Sequence, residues 1–372
     1  MGFNCYDAYK EQDIIWFSAI DHNGLYKMHV DDNEIIKLAV FMCEENTCEI
    51  HRRIITYNRV LFFIPFKGNV ISSYDLDTEV MEYYLPAGVK EIHASDAFLD
   101  GNKIWILPRQ LDQPLYEFNI EQKIFYKHEE WNNKLLNIFD VTENNILSLT
   151  STCLVNKTLM TVVYNTAYII KTDLTTGEIE LYHLSDNLRL RGIIYDNGHY
   201  LLTLAIGGAI LCVDFASKTI DYIKLDTSKK AIFMNLIVDD QYIIVLPCKN
   251  SNIYKVYKNQ NLTCILEDDK CQFNDKSNLP MYLGWIKDGD ELLILPSAGN
   301  DIVRHDVLNE KEVEFFSERV RPQSSVIYER NETSLNSFIG NINAINSVVN
   351  PNIDCVSNGK IIWKTIVNSR IG

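Results

Sequence analysis

Residues 60–85 read VLFFIPFKGNVISSYDLDTEVMEYYL, and this stretch decides the fold. An apolar run ends at Pro65, a Gly68-Asn69 turn follows, and an alternating segment leads through Asp75-Leu76-Asp77-Thr78 into a last short strand. A continuous apolar run suits a strand covered on both faces, and polar Gly/Asn/Asp clusters suit the turns between strands.

The same unit recurs along the chain. It reads IIWFSAIDHNGLYKMHVDDNEIIKL from Ile14 and KIWILPRQLDQPLYEFNIEQKIFY from Lys103. Further copies are AYIIKTDLTTGEIELYHL from Ala167, HYLLTLAIGGAILCVDFASKTIDYIKL from His199, QYIIVLPCKNSNIYKVYKNQNLTCIL from Gln241 and ELLILPSAGNDIVRHDVLNEKEVEFF from Glu291. His29, Asp75, Asn119, Asp173, Asp214, Tyr257 and Asp306 are equivalent, and a repeat of about 40 to 50 residues built from short strands marks a β-propeller. Pro65, Pro108, Pro247 and Pro296 all close the second strand of their copy, where a missing N–H costs no ladder bond.

Each copy supplies three strands, and a fourth precedes it. The inner strands are predicted at 52–57, 93–99, 135–141, 189–195, 232–238 and 281–287, with that of the first blade within 3–9. Blade four breaks the pattern, with its second strand predicted at 146–150 and an insert at 151–166. The expected fold is therefore all-β: a seven-bladed β-propeller of four-stranded blades over residues 1–316. Residues 317–372 read as a partly helical extension packed on the propeller, with Ser334 as N-cap and Leu335, Phe338, Ile339 and Ile342 at helical spacing.

Composition bounds the function. The net charge of −15 argues against nucleic acid or an anionic membrane as partner. Nine cysteines without a CxxC pair fit reduced thiols in a cytoplasmic protein better than a disulfide framework or a zinc site. The N-terminus lacks the basic and apolar regions of a signal peptide, and no apolar run is long enough to span a bilayer. GxSxG, HExxH, P-loop and GxGxxG motifs are absent from the sequence. No cofactor and no metal site are expected.

Ile15-Trp16-Phe17-Ser18 and Asp173-Leu174-Thr175-Thr176-Gly177-Glu178-Ile179 resemble the blades of bacterial propellers with YVTN-type repeats and of the virginiamycin B lyase-like group. The resemblance covers residues 14–316 and implies the fold more than the activity, because such blades occur in enzymes and in scaffolds. The lyase carries a histidine base and a magnesium site; neither motif is placed here, so that activity is not carried over.

The resemblance also implies that the loops entering each inner strand share one face, the top, with those joining second and third strands. Acidic residues crowd the opposite, bottom turns, whereas the top carries His22, Lys67, Arg109 and Lys249 together with His51, Arg52, Arg53, His93, Arg189 and Arg191. Alternation along the inner strands aligns Arg53, Ser95, Asn137, Arg191, Met234 and Leu283 in one column. His51, His93, Leu135, Arg189, Ile232 and Met281 form the column two positions earlier. Arg53, His93, Ser95, Asn137, Arg189 and Arg191 are the candidate ligand-binding residues at the channel mouth, lining its cationic side opposite an apolar one. The expected function is a monomeric, non-enzymatic scaffold holding a protein or a small anionic ligand at the top face. The alternative is a lyase- or hydrolase-like propeller enzyme acting on a small anionic substrate there.

Overall fold

A computed structural model describes residues 4–315 except 31–34, 45–47, 140–145, 206, 226–231, 250–251, 260, 267–281, 298–301 and 307–312. The expected C-terminal extension, 317–372, lies outside the described residues. Within them, 28 strands form seven antiparallel four-stranded sheets, each from four consecutive strands. The inner strands are Cys5–Glu11, His51–Tyr57, Ala94–Asp100, Leu149–Val155, Leu190–Asp196, Ile232–Val238 and Tyr282–Asp288. They neighbour one another in cyclic order, and blade seven meets blade one through the strands Tyr282–Asp288 and Cys5–Glu11. This is the expected seven-bladed propeller.

The core lies between blades rather than within them, which is why second strands are apolar on both faces. Leu61 and Phe63 of the strand Val60–Pro65 pack with Trp16 and Leu25 of blade one, while Phe62 and Ile64 of the same strand pack towards Ile104 and Phe118 of blade three. One sheet cannot cover both its faces, and a closed ring covers all of them.

Blade four corrects the sequence reading. Of the inner strand predicted at 135–141, residues 135–139 belong to an α-helix, α1 (Glu129–Phe139), and 140–141 lie outside the described residues. Trp131 and Leu135, one turn apart, are buried in the cluster that also holds Trp105, Leu149 and Leu159, so α1 fills the gap between blades three and four. Glu129 and Glu130 occupy its first turn, where carboxylates suit the helix dipole, and Trp131 Nε1 donates to Thr172 Oγ1 at 2.9 Å. In place of a second strand at 146–150 followed by an insert at 151–166, the blade opens with a hairpin of its first two strands. Leu149–Val155 pairs with Thr158–Val163 around Asn156 and Lys157, both at positive φ (47° and 61°), the backbone that a two-residue hairpin turn requires.

Every inner strand carries an irregularity near its start: the register shifts between Cys5 and Ala8, His51 and Arg53, Ala94 and Asp96, Leu149 and Thr152, Leu190 and Gly192, Phe233 and Asn235, and Tyr282 and Gly284. Such bulges interrupt alternation and re-aim side chains. Two consecutive residues of a strand, such as Arg52 and Arg53, therefore both reach the channel.

The acidic bottom turns fasten the ring. Cations of one blade meet acids of the preceding blade at six interfaces: Lys10–Asp288, Arg59–Glu11, Lys123–Glu82, Lys157–Asp100, Lys258–Asp196 and Lys287–Asp239. Between blades four and five, Phe215 meets Tyr182 at a tilt and Tyr200 edge-on instead, with centroids 4.4 and 5.2 Å apart. Exposed pairs of this kind contribute about 1 kcal/mol or less each, so the inter-blade core remains the main source of stability.

Candidate functional site

The seven inner strands enclose a central cavity of about 450 Å³. Its wall is divided. Tyr6, Asp7, Arg52, Arg53, Asp96 and Thr150 to Thr152 supply polar groups from blades one to four, with Phe98 and Leu154 among them. Ile193, Ile194, Met234, Leu236, Leu283 and Trp285 supply mostly apolar surface from blades five to seven, with Asn235 among them. The sequence reading predicts a cationic, polar side lined by Arg53, His93, Ser95, Asn137, Arg189 and Arg191; of these, Arg53 lines the cavity.

The residues forming it are partly different. Pairing with the second strands places Arg53, opposite Ile64, in register with Asp96, Gly192, Asn235 and Gly284. Arg52 is thus the counterpart of Ser95, Arg191, Met234 and Leu283, and the sequence alignment slipped by one residue in blade two. The usable signal is a count: Arg53, Asp96, Ser151, Gly192, Asn235 and Gly284 each precede the start of the second strand by the same interval.

The Arg53 position forms a ring of struts between blades. The Arg53 guanidinium lies 3.0 Å from Asp96 of blade three and 3.7 Å from Asp7 of blade one. Asp7 also accepts from the Ile54 and Ala8 N–H groups at 3.0 Å each. Burial pushes its carboxyl above the usual range, against the pull of Arg53. At equivalent places Ser151 Oγ accepts from Ile193 N at 3.2 Å, and Asn235 Nδ2 donates to Leu283 O at 2.6 Å. Gly192 and Gly284 approach the next blade so closely that a Cβ would sit 2.5 Å from Met234 O and 2.6 Å from Tyr6 O. Arg53 is therefore held by inter-blade carboxylates.

The other predicted residues separate. Arg191 is at the mouth, its Nε 2.7 Å from Met234 Sδ and its guanidinium 5.7 Å from the Tyr164 ring centroid. Ser95 is buried, and its Oγ has no hydrogen-bond partner among the described residues. Arg189 is exposed and donates to Asp186 O and Leu188 O, both at 2.8 Å, capping its own loop. His93 lies 3.6 Å from Glu91 beside a separate cavity of about 110 Å³ between Pro108 and Tyr116. Asn137 is on the exposed side of α1, because the segment assumed to be a channel strand is a helix.

Arg52, which lines the cavity, and Arg109 are placed on the top face by the sequence but fall outside the candidate ligand-binding set. Arg52 Nη2 reaches from blade two to Thr150 O of blade four at 3.2 Å, and its guanidinium carbon lies 5.3 Å from the Phe66 ring centroid. Arg109 of blade three lies over the same ring at 4.4 Å. Tyr6 meets Phe66 edge-on at 5.6 Å. His51, a neighbour in sequence, is not part of this group. It is buried between Phe41 and Phe63 with Nδ1 2.9 Å from Ser18 Oγ, and burial lowers its pKa to about 3, so it stays neutral. Among the described residues no group of three His, Cys, Asp or Glu side chains is arranged to hold a metal ion. No described helix is long and apolar enough to cross a membrane.

Fold and site together define a seven-bladed β-propeller with a polarised central channel. Among solved structures the chain is similar to a streptogramin B lyase at 14% identity, covering 82% of this chain and 93% of that one with a TM-score of 0.60. YCF48 from Cyanidioschyzon merolae is 9% identical over 83% of this chain and 97% of its own, also with a TM-score of 0.60. The extracellular domain of the one component system BT4673 from B. thetaiotaomicron is 13% identical with a TM-score of 0.58. The chain aligns with 82% of its own length there but spans only 38% of that structure. At these identities the likeness is one of fold. No family model and no curated protein matches the sequence.

Proposed function

We propose that this protein is a non-enzymatic binding propeller whose channel mouth holds a small molecule with an anionic end and an apolar body. One observation carries the reading: a cavity of about 450 Å³, the size of a small-ligand site, is walled by polar and cationic groups on one side and by Met234, Leu236, Leu283 and Trp285 on the other. Within a chain of net charge −15, cations gathered at one mouth attract anions selectively. Cys5, Cys43, Cys48, Cys153 and Cys212 carry thiols outside any disulfide, which supports a reducing, cytoplasmic setting. The test is calorimetric titration with octanoate as probe. The wild type should bind it once per chain, and Leu283→Trp, which projects bulk into the channel, should abolish binding while circular dichroism stays native. Equal binding by both proteins would place the ligand elsewhere and end the reading.

A second reading, a propeller enzyme on a small anionic substrate, is favoured by Asp7. Its carboxyl borders the channel, and burial raises its pKa, as a group exchanging protons with a bound substrate requires. A bound compound recovered unchanged after long incubation with the wild type would oppose this reading. Conversion that Asp7→Asn stops without loss of binding would support it.

A further inference from the structure

We propose that Arg52 and Arg109, held on the Phe66 ring, form an oxyanion subsite that takes the carboxylate or phosphate end of the channel ligand. This rests on the channel reading and names the chemistry recognised there.

Arg53 is neutralised by Asp96 and Asp7, and Lys67 lies 2.8 Å from Glu49. Arg52 and Arg109 form no ion pair among the described residues. What they share is a phenyl ring, 5.3 and 4.4 Å from their guanidinium carbons. An aromatic face stabilises a guanidinium without occupying its N–H groups, which point outward in the guanidinium plane. Arg52 spends one nitrogen on Thr150 O; the remaining donors of both side chains are available to an acceptor.

Burial is the main influence that lowers the tendency of Arg52 to hold its charge; the Asp96 carboxylate opposes it, and the charges of Arg53 and Arg109 add to it. An anion bonded to the free donors of the Arg52 and Arg109 guanidiniums relieves the repulsion between them. Carboxylate and phosphate both present paired oxygens that match the guanidinium fork. Tyr6 borders the same ring, and its hydroxyl is tied to Glu49. That tie leaves the two arginines as the groups that set anion affinity. Phe66 itself packs against the apolar cluster of Tyr6, Ile20, Met234 and Leu283, so apolar surface for the body of such a ligand lies next to the ring.

The test compares octanoate, octyl phosphate and octanol on the full chain, with wild type, Arg109→Gln, Arg52→Gln and Leu283→Trp proteins. Arg109 is the safer substitution, because Arg52 also bridges two blades. Expected are binding of either anion in preference to octanol, and a loss of at least about tenfold in anion affinity in Arg109→Gln, as for removal of a charge-assisted hydrogen bond. Octanol affinity should stay unchanged in that variant. Whichever anion binds more tightly identifies the natural end group. If octanol and octanoate bind alike and Leu283→Trp blocks both, the subsite is wrong and the channel reading stands. If Arg109→Gln weakens octanoate but Leu283→Trp does not, the subsite is right and the channel is not the ligand's seat. If neither anion binds the natively folded wild type, both fall.

Discussion

Arg53 of blade two and Asp96 of blade three join neighbouring blades across the channel wall, with Nε 3.0 Å from Oδ1. Asp7 of blade one stands 3.7 Å from the same guanidinium, so one side chain ties three successive blades. The carboxylates are largely buried, whereas the arginine side chain is 42% exposed to the cavity. Its removal therefore strands two acids in a low-dielectric wall.

Arg53→Ala should destabilise the protein by about 1 to 3 kcal/mol, above a surface pair and below a fully buried one. Urea unfolding of Arg53→Ala, Asp96→Ala and the double variant measures this. The double variant should be more stable than the two single losses added together, because the second substitution removes a charge the first left unpaired. Strict additivity would show that the pair is not coupled.

Glu44 sets a pH dependence. Its carboxylate accepts from Asn69 N at 2.6 Å and Val70 N at 3.3 Å, bracing the loop that carries Phe66, and burial pushes its pKa up to about 7 from an ordinary 4.5. The folded state thus holds this proton over a pH range in which the unfolded chain has released it. Stability contributed by the protonated form is complete below about pH 4.5 and declines as pH rises to about 7, by about 3 kcal/mol at most. Between pH 5 and 7.5 the urea midpoint of the wild type should fall, relative to that of Glu44→Gln, as pH increases. Parallel profiles for the two proteins would contradict it.

Gly284→Ala should loosen the closure between blades seven and one. The added Cβ would meet Tyr6 O at 2.6 Å, and the carbonyl belongs to an inner strand that cannot swing aside. A cost of about 1 to 3 kcal/mol is expected, as for overpacking in a core. Gly88→Ala, where a Cβ meets nothing within 4 Å but φ is 75°, provides a comparison of local backbone strain alone. Calorimetric melting of both variants separates contact between blades from turn strain: Gly284→Ala should melt lower.

Asn137→Ala and Arg189→Ala should leave octanoate affinity within about twofold of wild type, since one residue lies on the outer side of α1 and the other caps its own loop. Surface substitutions of this kind also change stability by about 0.5 kcal/mol or less. Loss of binding in either protein, measured by the same titration, would return that residue to the site.

The sequence by itself determined the seven-fold repeat and the four-stranded blade. These follow from local patterns: doubly apolar second strands, Asx turns such as that of Asp75 with the Asp77 and Thr78 N–H groups, and prolines at fixed strand ends. Blade four misled it, because Trp131 and Leu135 suit either a helix or a strand until a gap between blades is there to fill. Which side chains meet at the mouth was decided only by tertiary structure. A bulge in each inner strand breaks the two-residue period, so a one-residue slip exchanged Arg53 for Arg52, and only the radial fold brings Arg109 of another blade onto Phe66.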